Sequence, residues 1–181
     1  MVSEIKWPAA EQEGARRGGS FYLGAAVCKR GHVETVDLEP GGPVTVSDAC
    51  PSCGARMLTA CRSCGVRIRG DQFVPGVVSF STPRRPSFCD GCGAAMPWAT
   101  RQERIHELEN LLDEAEEIDE ADLVVIQDHL ERLRESSLSE RDEKAAWSEV
   151  KRRSGDALRS ERVSNVLEGL VTAAIRAQLN L

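Results

Sequence analysis

Eight side chains of metal-ligand type occur as four pairs: Cys28 with His32 in CKRGH, Cys50 with Cys53 in CPSCG, Cys61 with Cys64 in CRSCG, and Cys89 with Cys92 in CDGCG. Each Cys-x-x-Cys puts two sulfurs on one tight turn, and the glycine after the second cysteine lets backbone amides turn back toward them. Zinc takes four such ligands in a tetrahedron, so the four pairs fill two closed structural sites and imply two Zn²⁺ ions. Sequential pairing is preferred: Cys28, His32, Cys50 and Cys53 for one ion, Cys61, Cys64, Cys89 and Cys92 for the other. It leaves 17 and 24 residues between paired knuckles, room for a hairpin, against seven between the middle two. An interleaved cross-brace of RING type stays open. Joining the middle knuckles is least favoured, because the outer pairs would then share a single distant site.

Other uses of these residues fit less well. A disulfide framework needs an oxidising compartment and leaves one of seven cysteines over, whereas His32 at ligand spacing completes the metal count. Redox Cys-x-x-Cys sites open a helix in a βαβ setting, which the sequence lacks. Catalytic zinc needs an open coordination position, and four protein ligands per ion leave none. His106 begins HELEN, with Asn110 where a zincin has its second histidine, and Glu103 with His106 is a lone E-x-x-H. His129, like His106, falls on an acidic helix. The chain is therefore expected not to be an enzyme.

The elements that must carry the ligands follow from composition. Residues 1–20 mix charges, Ala and Gly without apolar period, end in RRGGS, and read as a disordered arm with Trp7 its one bulky aromatic. Residues 21–99 are rich in Gly, Pro, Cys and β-branched residues. The short runs FYLGAAV, HVETVDL, PVTV and VVSF predict antiparallel strands, with a Gly41-Gly42 hairpin in EPGGP. Aromatic residues make up 4% of the chain, so such a segment has little core without metal.

From residue 100 the period becomes helical. Thr100 with Glu103 forms a capping box ahead of Ile105, Leu108, Leu111, Leu112 and Ala115. A second helix begins near Asp119 to Asp122, carries Leu123, Ile126, Leu130 and Leu133, and stops at Ser136-Ser137. Ser139 caps a third through Trp147 and Val150, ending before Gly155. Val163, Val166, Leu167, Leu170, Val171, Ala174, Ile175 and Leu179 form one continuous stripe. The fold class is small α+β: tandem zinc ribbons over 21–99, then an amphipathic helical domain over 100–181, as a hairpin, coiled coil or small bundle.

Charge divides along the same line. Residues 1–99 hold 11 Lys/Arg and 9 Asp/Glu, residues 100–181 hold 12 and 20, so the tail repels phosphate backbones. No stretch reaches the roughly 18–20 apolar residues of a membrane span. Arg16-Arg17 ahead of an apolar run over 21–27 and Cys28 mimics an export leader, but the run is short and Val27 stands where a small residue belongs. A cytoplasmic location is expected.

These residues resemble a bacterial family of uncharacterised proteins, known only as a domain of unknown function, in which a double zinc ribbon precedes a helical tail. The likeness rests on YLGAAVCKRGH, on CPSCG and CRSCG with IRG after the latter, and on VPGVVSFSTPRRPSFCDGCGAAMPW, and covers roughly residues 21–99. It implies that the seven cysteines and His32 are zinc ligands, and implies no activity.

Two functions are expected to compete. In the preferred one the protein is a non-catalytic adaptor whose loop over 70–88 docks a protein partner, while the stripe over 163–179 associates with another copy or another protein. In the other, Arg67, Arg69, Arg84 and Arg85 near Phe73, Phe80 and Phe88 bind nucleic acid, arginines on phosphates and rings on bases. Four arginines on a nearly neutral ribbon are a thin electrostatic footprint, which favours the adaptor. Core packing is the simpler role for the phenylalanines, and Trp98 is expected to pack the ribbon onto the first tail helix.

Overall fold

A computed structural model describes residues 5–78, 83–135, 138–168, 170–171 and 177. The chain divides into two compact units, residues 1–98 and 99–181. The first carries antiparallel strands and all the cysteines; the second is helical. No helix among the described residues is long and apolar enough to cross a membrane.

In the first unit, helix α1 (Ala9–Arg17) precedes strands β1 (Phe21–Cys28), β2 (Val33–Leu38), β3 (Met57–Leu58) and β4 (Arg69–Phe73). All three later strands pair antiparallel with β1. Gly24 pairs with both Leu38 of β2 and Arg69 of β4. β4 therefore lies on the edge of β1 opposite β2, the edge whose far end takes β3. Burial along β1 is continuous from Leu23 to Cys28, the mark of a strand covered on both faces. Ala25 and Val27 pack with Ile68, Cys61, Cys89, Met96 and Trp98. Ala26 and Cys28 pack with Leu38, Cys50 and Met57. The strand separates two small cores, and each contains cysteines.

The roll of the sheet depends on Gly70. A Cβ there would lie 2.1 Å from the Val36 carbonyl oxygen and 2.6 Å from that of Gly24, both backbone atoms with little freedom to yield. Gly70→Ala is expected to destabilise the unit toward the upper end of the ~1–3 kcal/mol typical of overpacking. A lower urea midpoint followed by tryptophan fluorescence would register this; an unchanged midpoint would mean the strands can separate.

Three expectations for this unit are corrected. Residues 5–20 are not a disordered arm. Lys6 bridges to Val66, the Lys6 amide donates to the Gly65 carbonyl at 3.1 Å, and Trp7 packs against the core around Cys28 and Cys50. α1 buries none of its own residues, which is why no apolar period announces it. Its stop signal lay in RRGGS: Arg16 and Arg17 fill the last turn and Gly18 closes it in a left-handed conformation.

PVTV forms no strand, and the Gly41 turn does not lead into a ladder. Ser47 instead bonds the Glu34 carboxylate through its amide and hydroxyl, at 3.1 and 2.9 Å. In VVSF, Val77 and Val78 are irregular and exposed, while 79–80 lie outside the described residues. Trp98 belongs to the core of the first unit, its indole N–H donating to the Pro86 carbonyl at 2.7 Å.

The second unit holds α2 (Arg101–Asp113), α3 (Glu120–Arg134), α4 (Glu140–Ser154), a 3-10 turn (Gly155–Arg159) and α5 (Glu161–Leu167). Its helix starts follow the sequence. Thr100 and Glu103 make a complete capping box, and Asp119, Ser139 and Ser160 each accept an amide of the first turn. Ile105, Leu108, Leu112, Ile126, Leu130, Leu133, Trp147 and Val150 are buried among these helices. α2 packs against both α3 and α5, so the arrangement is a small bundle.

The continuous last stripe is corrected. α5 ends at Leu167, where Glu168 turns extended, and Val163, Val166, Leu167, Leu170 and Val171 are buried within the unit itself. Ala174, Ile175 and Leu179 lie outside the described residues, as does the Ser136-Ser137 stop.

Candidate metal centres

The three Cys-x-x-Cys knuckles are built alike. After each second cysteine a glycine (Gly54, Gly65, Gly93) takes φ of 69°, 74° and 72°, a left-handed turn that other residues adopt only with strain. Each donates its amide to the carbonyl of the first cysteine, at 2.8, 2.9 and 2.8 Å. The first cysteine's own amide then bonds the carbonyl just past the glycine: Cys50 to Ala55 at 2.8 Å, Cys61 to Val66 at 2.7 Å, Cys89 to Ala94 at 2.9 Å. One antiparallel bridge flanks each turn: Ala49 with Arg56, Ala60 with Arg67, Phe88 with Ala95. The CKRGH turn is a variant, closed by the Cys28 amide on the His32 carbonyl at 2.9 Å.

These turns bring the ligand atoms together in the sequential pairing. The donor atoms of Cys28, His32, Cys50 and Cys53 lie within 4.8 Å of one another, as do those of Cys61, Cys64, Cys89 and Cys92. In the first cluster His32 Nδ1 sits 3.6 Å from the Cys28 and Cys50 sulfurs and 3.2 Å from that of Cys53, with Cys28 and Cys53 3.7 Å apart. In the second, Cys61 to Cys92 is 3.9 Å and Cys64 to Cys89 is 3.6 Å. A tetrahedral ion with metal–sulfur bonds of about 2.3 Å has an edge of about 3.8 Å between sulfurs. Both clusters could thus hold a metal ion, and neither the cross-braced nor the middle pairing is formed.

Backbone dipoles prepare one thiolate in each cluster. Burial pushes the Cys28 thiol up, but the His32 and Arg30 amides outweigh it and bring it down to about 7. Burial likewise raises Cys61, and the Cys64 and Ser63 amides outweigh it, leaving it lowered. Cys89 and Cys92 are raised, foremost by burial, with the charge on Cys61 opposing a second ionisation. A divalent cation removes that conflict by neutralising thiolates that otherwise repel one another. The centres differ in cover: His32 is exposed at the first, whereas no ligand of the second is.

The four candidate arginines behave differently. Arg67 is 1% exposed and forms ion pairs with Glu11 at 2.6 Å and Asp90 at 2.9 Å. It therefore ties α1 to the third Cys-x-x-Cys knuckle and faces no ligand. The Arg69 guanidinium lies 3.6 Å above the Tyr22 ring, and Arg85 donates to the Trp98 carbonyl at 3.2 Å. Arg84 is exposed. Of the phenylalanines, Phe73 is 41% exposed and stacks on Phe21 at 5.1 Å, Phe88 is half-buried, and Phe80 lies outside the described residues. The sequence did not reveal Glu11 and Asp90 as partners, because nothing local marks a contact across 56 and 23 residues.

Among the described residues, neither histidine of the second unit joins a cluster of metal-ligand type. His106 is 69% exposed on α2, 3.8 Å from Glu109. Glu103 is held in the Thr100 capping box, its carboxylate taking the Thr100 amide at 2.6 Å. His129 lies on α3, near enough to Glu149 of α4 to help hold that carboxyl below its ordinary value, after Arg152.

No curated protein and no solved structure matches the chain. A family model does, over residues 21–176, reaching past both clusters and through helices α2 to α5. The match covers most of the sequence, and the chain belongs to the family described as an uncharacterised protein conserved in bacteria, DUF2321.

Proposed function

We propose that the protein is a zinc-dependent, non-catalytic docking module of the cytoplasm, in which two Zn²⁺ ions rigidify a double ribbon that presents an apolar loop to a protein partner. Three thiolates with an imidazole, and four thiolates, are both zinc donor sets. Four protein donors at each centre leave no position for a substrate or an activated water, which supports a structural role. Thiols gathered for metal suit a reducing compartment.

The observation that carries the reading is the surface after β4. Phe73, Val77 and Val78 are 41%, 62% and 76% exposed, and exposed apolar side chains that are close in sequence mark contact surfaces more often than isolated ones do. Of the arginines that a nucleic-acid reader would use, Arg67 is buried in ion pairs and Arg69 and Arg85 are engaged internally. The described part of the last stripe is buried in the second unit, so the loop is the better-supported docking element.

The test is capture from a bacterial lysate with and without nuclease, comparing the wild-type chain with V77D/V78D. Both positions are exposed, so the double variant is expected to keep its metal content and circular dichroism. A defined partner should survive nuclease and fall at least about tenfold with the variant, as expected when charge enters an apolar contact. Co-purified nucleic acid, lost on digestion together with its proteins, would establish the reader instead.

A further inference from the structure

We propose that a groove between the two metal centres, separate from the loop just described, binds an acidic peptide segment. The inference goes beyond the docking loop to a second surface and names a partner class for it. The groove has a volume of about 640 Å³ and runs past Lys29, Arg56 and Arg62, with Val44, Val46 and Leu58 among its lining residues. Lys29, Arg56 and Arg62 are exposed, and no described carboxylate pairs with any of them. Among the described residues, Asp48 is the one acidic residue that lines it.

The walls are set before any ligand arrives. Lys29 directly follows Cys28 and its amide donates to the Arg56 carbonyl at 3.1 Å, so the backbone segments that carry two of the cations are fixed against each other. Arg62 sits inside the Cys61–Cys64 knuckle. Ser47, another lining residue, is held on Glu34 through its hydroxyl and its amide, at 2.9 and 3.1 Å. A preorganised groove loses little freedom on binding, which favours affinity from few contacts.

The chemistry selects the partner. Three cations beside aliphatic side chains match a peptide in which carboxylates alternate with aliphatic residues. A nucleic acid would look for rings on which to stack bases, and no described aromatic residue lines the groove. The same cations also offset the negative charge of loaded thiolate centres, so the test must separate binding from metal retention.

The experiment is fluorescence anisotropy of the full, metal-loaded chain. Its probes are a fluorescein-labelled peptide of about a dozen residues alternating Glu with Val and Leu, a counterpart with Lys for Glu, and a labelled oligo-dT of similar length. The acidic peptide is expected to bind best, to weaken as salt rises, and to lose about tenfold or more in affinity with R56E and with K29E/R62E. Metal analysis must find both ions retained in R56E, the variant furthest from the ligands. Equal binding of the two peptides, or an R56E chain of full affinity, would overturn the inference. Preferred binding of oligo-dT that R56E abolishes would overturn it in favour of a phosphate-binding groove. V77D/V78D should keep the peptide affinity; if that variant also keeps its lysate partner, the docking loop fails while the groove stands.

Discussion

Cys61→Ser is expected to release metal and to unfold the first unit, leaving the helical unit folded. Cys61 is 5% exposed and belongs to the core that also contains Ala25, Val27, Ile68, Cys89, Met96 and Trp98. That core is small, with Trp98 the one buried aromatic ring among its described residues. Metal binding to a four-ligand structural site contributes about 10–16 kcal/mol in comparable small modules. Total domain stability is about 5–15 kcal/mol, so one lost ligand is enough to remove the fold. Metal analysis should find at most one ion per chain, Trp98 emission should shift to the red, and most of the far-ultraviolet helical signal should stay. Cys89→Ser should behave in the same way, since Cys89 completes the same cluster. Two ions retained in either variant would mean that the ligand set is wrong.

Arg67→Ala should have the next largest effect, about 3 kcal/mol of stability, at the low end of the range for breaking a buried ion pair because Asp90 remains partly solvated. The guanidinium joins Glu11 on α1 to Asp90 inside the Cys89–Cys92 knuckle, and its Nε is already without a partner. Removal leaves two carboxylates facing a cavity. Arg67→Lys retains the charge but cannot reach both acids with one planar fork, and should fall between the two. A readout specific to the latch is trypsin cleavage at Arg16 and Arg17, which should accelerate in Arg67→Ala when α1 comes away. Equal cleavage rates would show that Lys6 and Trp7 hold the arm without Arg67.

The two clusters of metal-ligand type and the helix caps were legible because each is a local pattern with one physical purpose. A Cys-x-x-Cys-Gly turn closes on itself whatever surrounds it, and Thr100, Asp119 and Ser139 satisfy amides within their own first turns. β1 and β2 were legible from their apolar and β-branched runs. What escaped is held from a distance. RGDQF of β4 has little strand propensity and pairs because β1 offers a free edge and Gly70 lets it close in. α1 has no apolar face and depends on Arg67, fifty-six residues away from Glu11. PVTV has strand-forming residues, yet Ser47 is bonded to a Glu34 side chain where a ladder partner was expected. Arginine chemistry was misread for a related reason: composition records that Arg67 is cationic, and only the fold reveals that two acids already occupy it.

The position of β1 between the two cores bears on the order in which a growing chain can mature. All four donors of the first cluster have been synthesised once Cys53 emerges, and β2 is by then in place to pair with β1. The opposite edge of β1 must wait for β3 and β4, which ends at Phe73, and the second cluster for Cys92. An ion captured early would thus hold β1 by one face while the other is still bare. The nascent ribbon passes through a half-covered stage whose length is set by translation of some forty residues between Cys53 and Cys92.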